Sequence, residues 1–331
     1  MKINRSKKSI PKYNVPILLI TFKRCDFLPN ILDEIIKINP AKLYIFQDGP
    51  RNKDDLKDVL KVRSLLSKYF EKTDIEIHKN FKEKNIGVAL GEPKAIDWVL
   101  MKEKYVIVVQ DDVLIKNDFF VFMKNVLTKY ENEDRILAVN SVNFYHDNYK
   151  NLKESFYLSR FFVPWGWAVW RRSWRLFDFY IRDYPFIKKN KEYKSRFLNY
   201  KHRFYLESFL EAIYKNKFNT TWDLQFEYLA YKYNKFFVSP RQNLAKNLGQ
   251  NFGGSNPFLW KDEAKLQKIG KFIFPNKLIY NEKYDEIYFQ NRLRGGWFRL
   301  LGIYIYNNLL SENQRKLLVK FISFWIKTFK R

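Results

Sequence analysis

Four short apolar runs, with helical segments between them, fill the first 115 residues of the chain, and this alternation limits the fold more than any other feature. VPILLITF ends in the polar loop TFKRCD, and FLPNILDEIIKI after it sets Leu28, Leu32, Ile35 and Ile36 on one helical face. AKLYIFQDGPR reads as a strand closed by an Asp-Gly-Pro turn. DDLKDVLKVRSLLSKYF is a second amphipathic helix and DIEIHKN a third strand. NIGVALGEPKAIDWVLMKE gives a glycine-bearing loop and a third helix, and the chain then reaches YVIVVQDDVLI. The pattern predicts an α/β domain: a mainly parallel, Rossmann-like sheet with helices on both faces. Ligands of such sheets bind at the carboxyl ends of the strands.

At that edge, Asp111 and Asp112 follow directly on a β-branched run. An uncompensated carboxylate is costly to bury, so a cation is expected beside them. The structural alternative is an acidic turn capping the helix DFFVFMKNVLTKYE. Asp118 fits that cap better, which leaves the pair for a ligand.

At 331 residues the chain has room for one large or two ordinary domains, and 46% hydrophobic and 19% aromatic residues argue for a packed globule. The formal charge of +26 suggests an anionic partner: a nucleic acid, an acidic membrane surface or a phosphorylated substrate. A codon bias towards Lys, Asn, Ile, Tyr and Phe would produce the same excess. The single cysteine, Cys25, excludes an intramolecular disulfide and fits a reducing compartment. His78, His146 and His202 lack the spacing of a metal pair. Residues 1–12 read as a basic arm, because the apolar stretch after them is too short for a signal peptide and runs into Lys23 and Arg24.

We expect residues 13–150 to form the nucleotide-binding half of one domain and 151–260 its acceptor half. The latter holds the aromatic SFYLSRFFVPWGWAVWRRSW and the segment TWDLQFEYLAYKY. Residues 261–331 are apolar with basic punctuation. In the last helix Leu318, Phe321, Ile322, Trp325 and Phe329 share one face and Lys316, Lys320, Lys327 and Lys330 another, which suits either an anionic membrane surface or docking on its own domain.

In order, a strand ending in TFxR, a strand ending in FQDGPR, an NxG loop before a helix and a strand ending in QDD resemble the GT-A glycosyltransferases. The QDG and QDD sequences bring the chain closer to the N-acetylglucosaminyltransferase branch. PWGWAVW and TWDLQ are similar to bacterial surface-polysaccharide sugar transferases, and the resemblance covers roughly residues 14 to 255. It implies a nucleotide-diphosphate sugar donor, UDP-linked by preference, and a divalent cation, Mn²⁺ or Mg²⁺. Asp112 would bind the metal, with Asp111 at the donor sugar or metal shell and Gln110 at the ribose. Thr21 and Arg24 would lie near the phosphates, Asp48 at the base, and Asn85 and Gly87 in the adjoining loop. Asp223 would be the base of an inverting transfer, with Glu227 in reserve, and Trp165, Gly166 and Trp167 would wall the sugar. The chain departs from the family at Gln110, where an acid is common, and in NLGQNFGGSNP, which has no histidine and leaves a third metal ligand unassigned.

The implied role is sugar transfer to a glycan or lipid-linked acceptor in surface polysaccharide or lipopolysaccharide assembly, at the inner face of the cytoplasmic membrane. A retaining transferase would not need Asp223 as base. A sugar nucleotidyltransferase would open with a glycine-rich loop, and ITFKRCDFLP has no glycine. A nucleic-acid binder would face repulsion from an acidic pair in its main cleft, so no nucleic-acid partner is expected. A membrane-bound scaffold would bind lipid and no nucleotide.

Overall fold

The structure is a computed structural model and describes residues 12–71, 73–216, 221–249, 265–292, 296–311, 313–315 and 317–318. Most of the expected basic arm, the GGSNP stretch and nearly all of the expected last helix lie outside these residues.

The first half runs β1 (Ile17–Thr21), α1 (Leu28–Ile38), β2 (Lys42–Gln47), α2 (Lys53–Phe70), β3 (Glu76–Phe81), α3 (Val88–Leu100), β4 (Tyr105–Gln110), β5 (Val113–Ile115), α4 (Asn117–Lys129) and β6 (Ile136–Val139). After β7 (Phe156–Ser159) and β8 (Trp167–Trp170) come three short helices, α5 (Arg171–Trp174), α6 (Tyr184–Ile187) and α7 (Lys191–Ser195). Then follow α8 (Tyr200–Tyr214), α9 (Asp223–Tyr233), β9 (Phe236–Pro240), β10 (Ala245–Asn247), α10 (Glu282–Arg292) and α11 (Gly296–Tyr304).

Eight strands form one sheet in the order β3-β2-β1-β4-β8-β6-β9-β7. β8 and β7 run against their neighbours and the other pairings are parallel. The sheet therefore takes strands from both expected halves: β7 forms one edge and β8 is inserted in the interior between β4 and β6.

β4 shows why the sheet must be covered on both faces. Val106, Ile107, Val108 and Val109 are all fully buried. Because side chains alternate across a strand, Ile107 and Val109 join a core built with α1, α2 and α4. Val106 and Val108 join a second core, rich in aromatics, with α3, α8 and α9. Burying each such side chain contributes about 1.5–3 kcal/mol, which makes this strand the hydrophobic axis of the molecule.

Asp118 does not cap α4 as expected. The capping position is Lys116, which makes no side-chain cap, and Asp118 Oδ1 instead accepts the Ile269 N–H (3.0 Å). The acid thus ties the 265–274 stretch to the helix start.

α10 is fastened to the β7 end of the sheet by Asp285, which is buried and accepts from Ser159 Oγ (2.5 Å), the Arg160 N–H (2.8 Å) and Tyr280 OH (2.9 Å). α11 packs on α8 through Leu300 but leaves Phe298 92% exposed, with Trp297, Leu301 and Leu309 also outside. No helix of the described residues is long and apolar enough to cross a membrane.

Candidate functional site

Register alone brings the expected donor residues together. Thr21 pairs with Gln47, Gln47 with Phe81, and Ile20 with Gln110, so the four parallel strands β3, β2, β1 and β4 end in one row. Arg24, Asp48, Asn85, Gly87 and Asp111–Asp112 all leave that edge. One further acid and two bases brace it: Lys23 and Arg51 both bind Asp55 at the start of α2 (2.5 Å each). Thr21 is buried, and its hydroxyl faces the Phe46 carbonyl (3.4 Å).

The cation expected beside the aspartates is Arg24, whose guanidinium is paired with Asp112 Oδ2. Asp111 Oδ2 accepts the Phe22 N–H (2.8 Å). Burial, and then the charge of Asp112, push the Asp111 carboxyl up to about 7 against the pull of Phe22 and Arg24. Burial raises Asp112 as well, opposed by Arg24. Two adjacent buried carboxylates, one opposed by the Phe22 N–H and then Arg24 and the other mainly by Arg24, are a place where further positive charge would be favourable. Above them, β10 pairs antiparallel with β5 and carries Gly249 over the Arg24–Asp112 pair, so close that a methyl group there would collide with both side chains. The sequence reading did not single out Gly249; a glycine shortly after a strand is its only local signal.

Asp48 has a different occupation from the expected contact with a base. Its carboxylate accepts four N–H groups, from Asn85 Nδ2 (2.9 Å), Gly87 (2.9 Å), Ile86 (3.0 Å) and Gly49 (2.8 Å). Gly87 needs its positive φ of 77° to present this face, so Asp48 moulds the loop that Asn85 and Gly87 line. Gln110 is likewise engaged inside the protein. Its Nε2 donates to Glu92 Oε1 (2.7 Å) and the Pro164 carbonyl (2.6 Å), and its Oε1 accepts the Gly166 N–H (3.1 Å).

Residues 161–166 have no ladder partners, and buried backbone must find others. Side chains supply them in turn. Asn140 takes the Phe161 carbonyl (2.9 Å) and the Val163 N–H (3.1 Å), Glu227 the Phe162 N–H (3.1 Å), and Ser141 the Trp165 carbonyl (2.8 Å). Gly166, at φ 63°, turns the chain into β8 within reach of Phe119 and Ser141. Trp165 ends half-buried beside Phe144, packed against the first core. Trp167 is not part of a sugar wall: it is fully buried among Phe162, Trp222 and Phe226. Strand alternation sends it to the core, on the side opposite Ala168.

Asp223 opens α9, directly after the capping residue Trp222, and is half-buried. Glu227, 1% exposed, holds Phe162 in the core and does not share that setting. Between Asp223 and the aspartate pair stands Glu92, a residue the sequence reading passed over. It is 6% exposed, accepts from Gln110 and from Trp222 Nε1 (2.6 Å), and feels the charges of both Asp223 and Asp112. Burial pushes its carboxyl up to about 7. Its signal was present: an acid on the apolar stripe Ala89, Ala95, Ile96 and Val99 of α3. Among the described residues, no three acidic, histidine or cysteine side chains converge to hold a metal ion.

A mostly parallel sheet under helices, with its polar residues gathered at the carboxyl ends of its strands, defines a Rossmann-like nucleotide-sugar-binding fold. The GNT-I family model matches residues 2–180, more than half of the chain, and the chain belongs to that family of glycosyltransferases, named for N-acetylglucosaminyltransferase I. No curated protein matches the sequence. Among solved structures, UDP-glucose pyrophosphorylase complexed with UDP-glucose is similar over 68% of this chain and 90% of its own, at 14% identity and a TM-score of 0.33. The 4-diphosphocytidyl-2C-methyl-D-erythritol synthase of Anaerococcus prevotii matches over 48% of this chain and 71% of its own, at 11% identity and a TM-score of 0.29. HddC of Yersinia pseudotuberculosis matches over 48% and 77%, at 9% identity and a TM-score of 0.29. Scores this low leave the family match to define the class.

Proposed function

We propose that this glycosyltransferase moves a sugar from a nucleoside diphosphate, UDP by preference, to a hydroxyl of a glycan or lipid-linked acceptor with inversion, in surface polysaccharide or lipopolysaccharide assembly. The observation that carries the reading is the Arg24–Asp112 pair at the shared strand edge, enclosed by Gly249 and backed by the raised Asp111 carboxyl.

Asp112 would hold a Mn²⁺ or Mg²⁺ ion and Asp111 its outer shell, since hard cations accept few protein carboxylates when phosphate oxygens and water complete the set. Bound, the ion supplies Lewis-acid neutralisation of the leaving diphosphate. Arg24, paired with Asp112 at the same edge, would offer its guanidinium fork to the diphosphate oxygens. Thr21, Asn85 and Gly87 border the nucleotide, with Asp48 acting through the loop it moulds and Gln110 through the turn it braces. Trp165 offers its face to the apolar side of the sugar, and Gly166 sets its angle. Asp223 takes the proton of the acceptor hydroxyl as that oxygen attacks the anomeric carbon. The bond from this carbon to the β-phosphate oxygen breaks, and the nucleoside diphosphate leaves with the electron pair.

The test is thermal stabilisation by UDP, GDP, CMP and dTDP compounds, with and without Mn²⁺, beside Asp112→Ala. A ligand at 100 times its Kd stabilises the folded state by about 2.7 kcal/mol, so a donor site is visible without its acceptor. A Mn²⁺-dependent shift with one nucleotide, lost in the variant, is the expected result. No shift with any of them overturns the reading.

A further inference from the structure

We propose that Glu92 is a positioning residue that fixes the donor half of the site relative to the acceptor half; this rests on the transferase reading above. Burying a carboxylate is costly, and packing on the apolar stripe of α3 would be served by leucine. What glutamate adds is two acceptor oxygens pointing apart. One takes Gln110 Nε2 (2.7 Å) and the other Trp222 Nε1 (2.6 Å).

These two partners are the residues immediately before the acids of the proposed chemistry. Gln110 precedes Asp111 and Asp112 and also grips Pro164 and Gly166, which flank Trp165. Trp222 precedes Asp223 and is itself immobilised among Trp167, Trp174 and Phe162. Three segments far apart in sequence, 110–112, 164–166 and 222–223, are thus referenced to one carboxylate on a helix. Glutamine at this position cannot serve both partners, because its amide nitrogen would face an N–H donor. Transfer requires the anomeric carbon and the acceptor oxygen within about 3–3.5 Å in line, and a misplacement of about 1 Å costs on the order of 100-fold in rate. Donor binding, which depends on the strand-edge residues, does not share this sensitivity.

The experiment compares wild type, Glu92→Gln, Trp222→Phe and the double variant. UDP binding is read by calorimetry with Mg²⁺, and turnover as UDP release from UDP-N-acetylglucosamine with water as acceptor. In Glu92→Gln we expect kcat to fall by about 30- to 100-fold while the donor KM and the UDP Kd stay within about threefold. The double variant should be no slower than Glu92→Gln, because both substitutions break the same link. The indole N–H of Trp222, read by its ¹⁵N resonance, should exchange slowly in wild type and at least tenfold faster in Glu92→Gln. A kcat within threefold of wild type overturns the proposal, as does a loss of UDP affinity equal to the loss of turnover, or multiplicative losses in the double variant. A wild type that neither binds UDP nor releases it refutes the transferase reading as stated for this donor; unchanged indole exchange in Glu92→Gln then refutes the brace independently.

Discussion

Trp165 and Trp167 are two residues apart and have opposite fates, so they separate chemistry from packing. Trp167→Ala empties a site in the aromatic core and should cost about 3–5 kcal/mol, measured by urea denaturation. Trp165→Ala should leave stability within about 1 kcal/mol and raise the KM for the sugar donor or acceptor. Gly249→Ala should weaken UDP binding at least tenfold with the circular dichroism unchanged, because the added methyl displaces Arg24 and Asp112 from their pairing. Asp223→Asn should lower transfer by about 10²–10⁴-fold with UDP affinity retained, as removal of a general base does. The aspartate pair could be read in the sequence because two charges ending a β-branched run break an obvious pattern. Glu92 shows in the sequence only as an acid on an apolar helical stripe; its role does not, since its partners Gln110 and Trp222 are 18 and 130 positions away. Asp48 was seen, but its four N–H donors come from a loop whose path no local pattern encodes.

At the level of elements, α10 is held by Phe289 in the core, by Tyr149 on the Tyr284 carbonyl and by the buried acid Asp285, and the last of these attachments is sensitive to pH. Burial pushes Asp285 from 3.8 up to about 6, against the hydrogen bonds from Ser159, Arg160 and Tyr280. A folded state that holds a proton more tightly than the unfolded chain gains stability that is complete below the unfolded value and lost as pH rises through the folded one. Chemical denaturation from pH 4 to pH 7 should therefore show a declining contribution that Asp285→Asn removes. The first three strand–helix units and β4 were legible because the helices carry a 3.6-residue period and β1, β2 and β4 are short unbroken apolar runs, as strands buried on both faces must be. β7, β8 and β9 were not, because short segments such as FYLS and WAVW become strands only through partners elsewhere in the chain. The insertion of β8 between β4 and β6 has no local signature at all.

Over the whole molecule, the chain combines a formal charge of +26 with exposed Trp297, Phe298, Leu301 and Leu309, and the expected docking on an anionic lipid surface is tested on these residues. Co-sedimentation with phosphatidylglycerol vesicles should be strong at low salt, fall at high salt, and be lost in a Phe298→Asp, Leu301→Asp double variant that retains its UDP-dependent stabilisation. The sheet order has a further result for the making of the protein. β4 is completed by β8, the 161–166 turn leans on Asn140 and Glu227, and Gly249 closes over residues 24 and 112. Pairings this distant must await late segments of the chain and are slow to form. A ribosome-bound intermediate that has made every acid of the strand edge still lacks β8, the proposed base Asp223 and the covering Gly249, so on the proposed mechanism it would be unable to consume activated sugar.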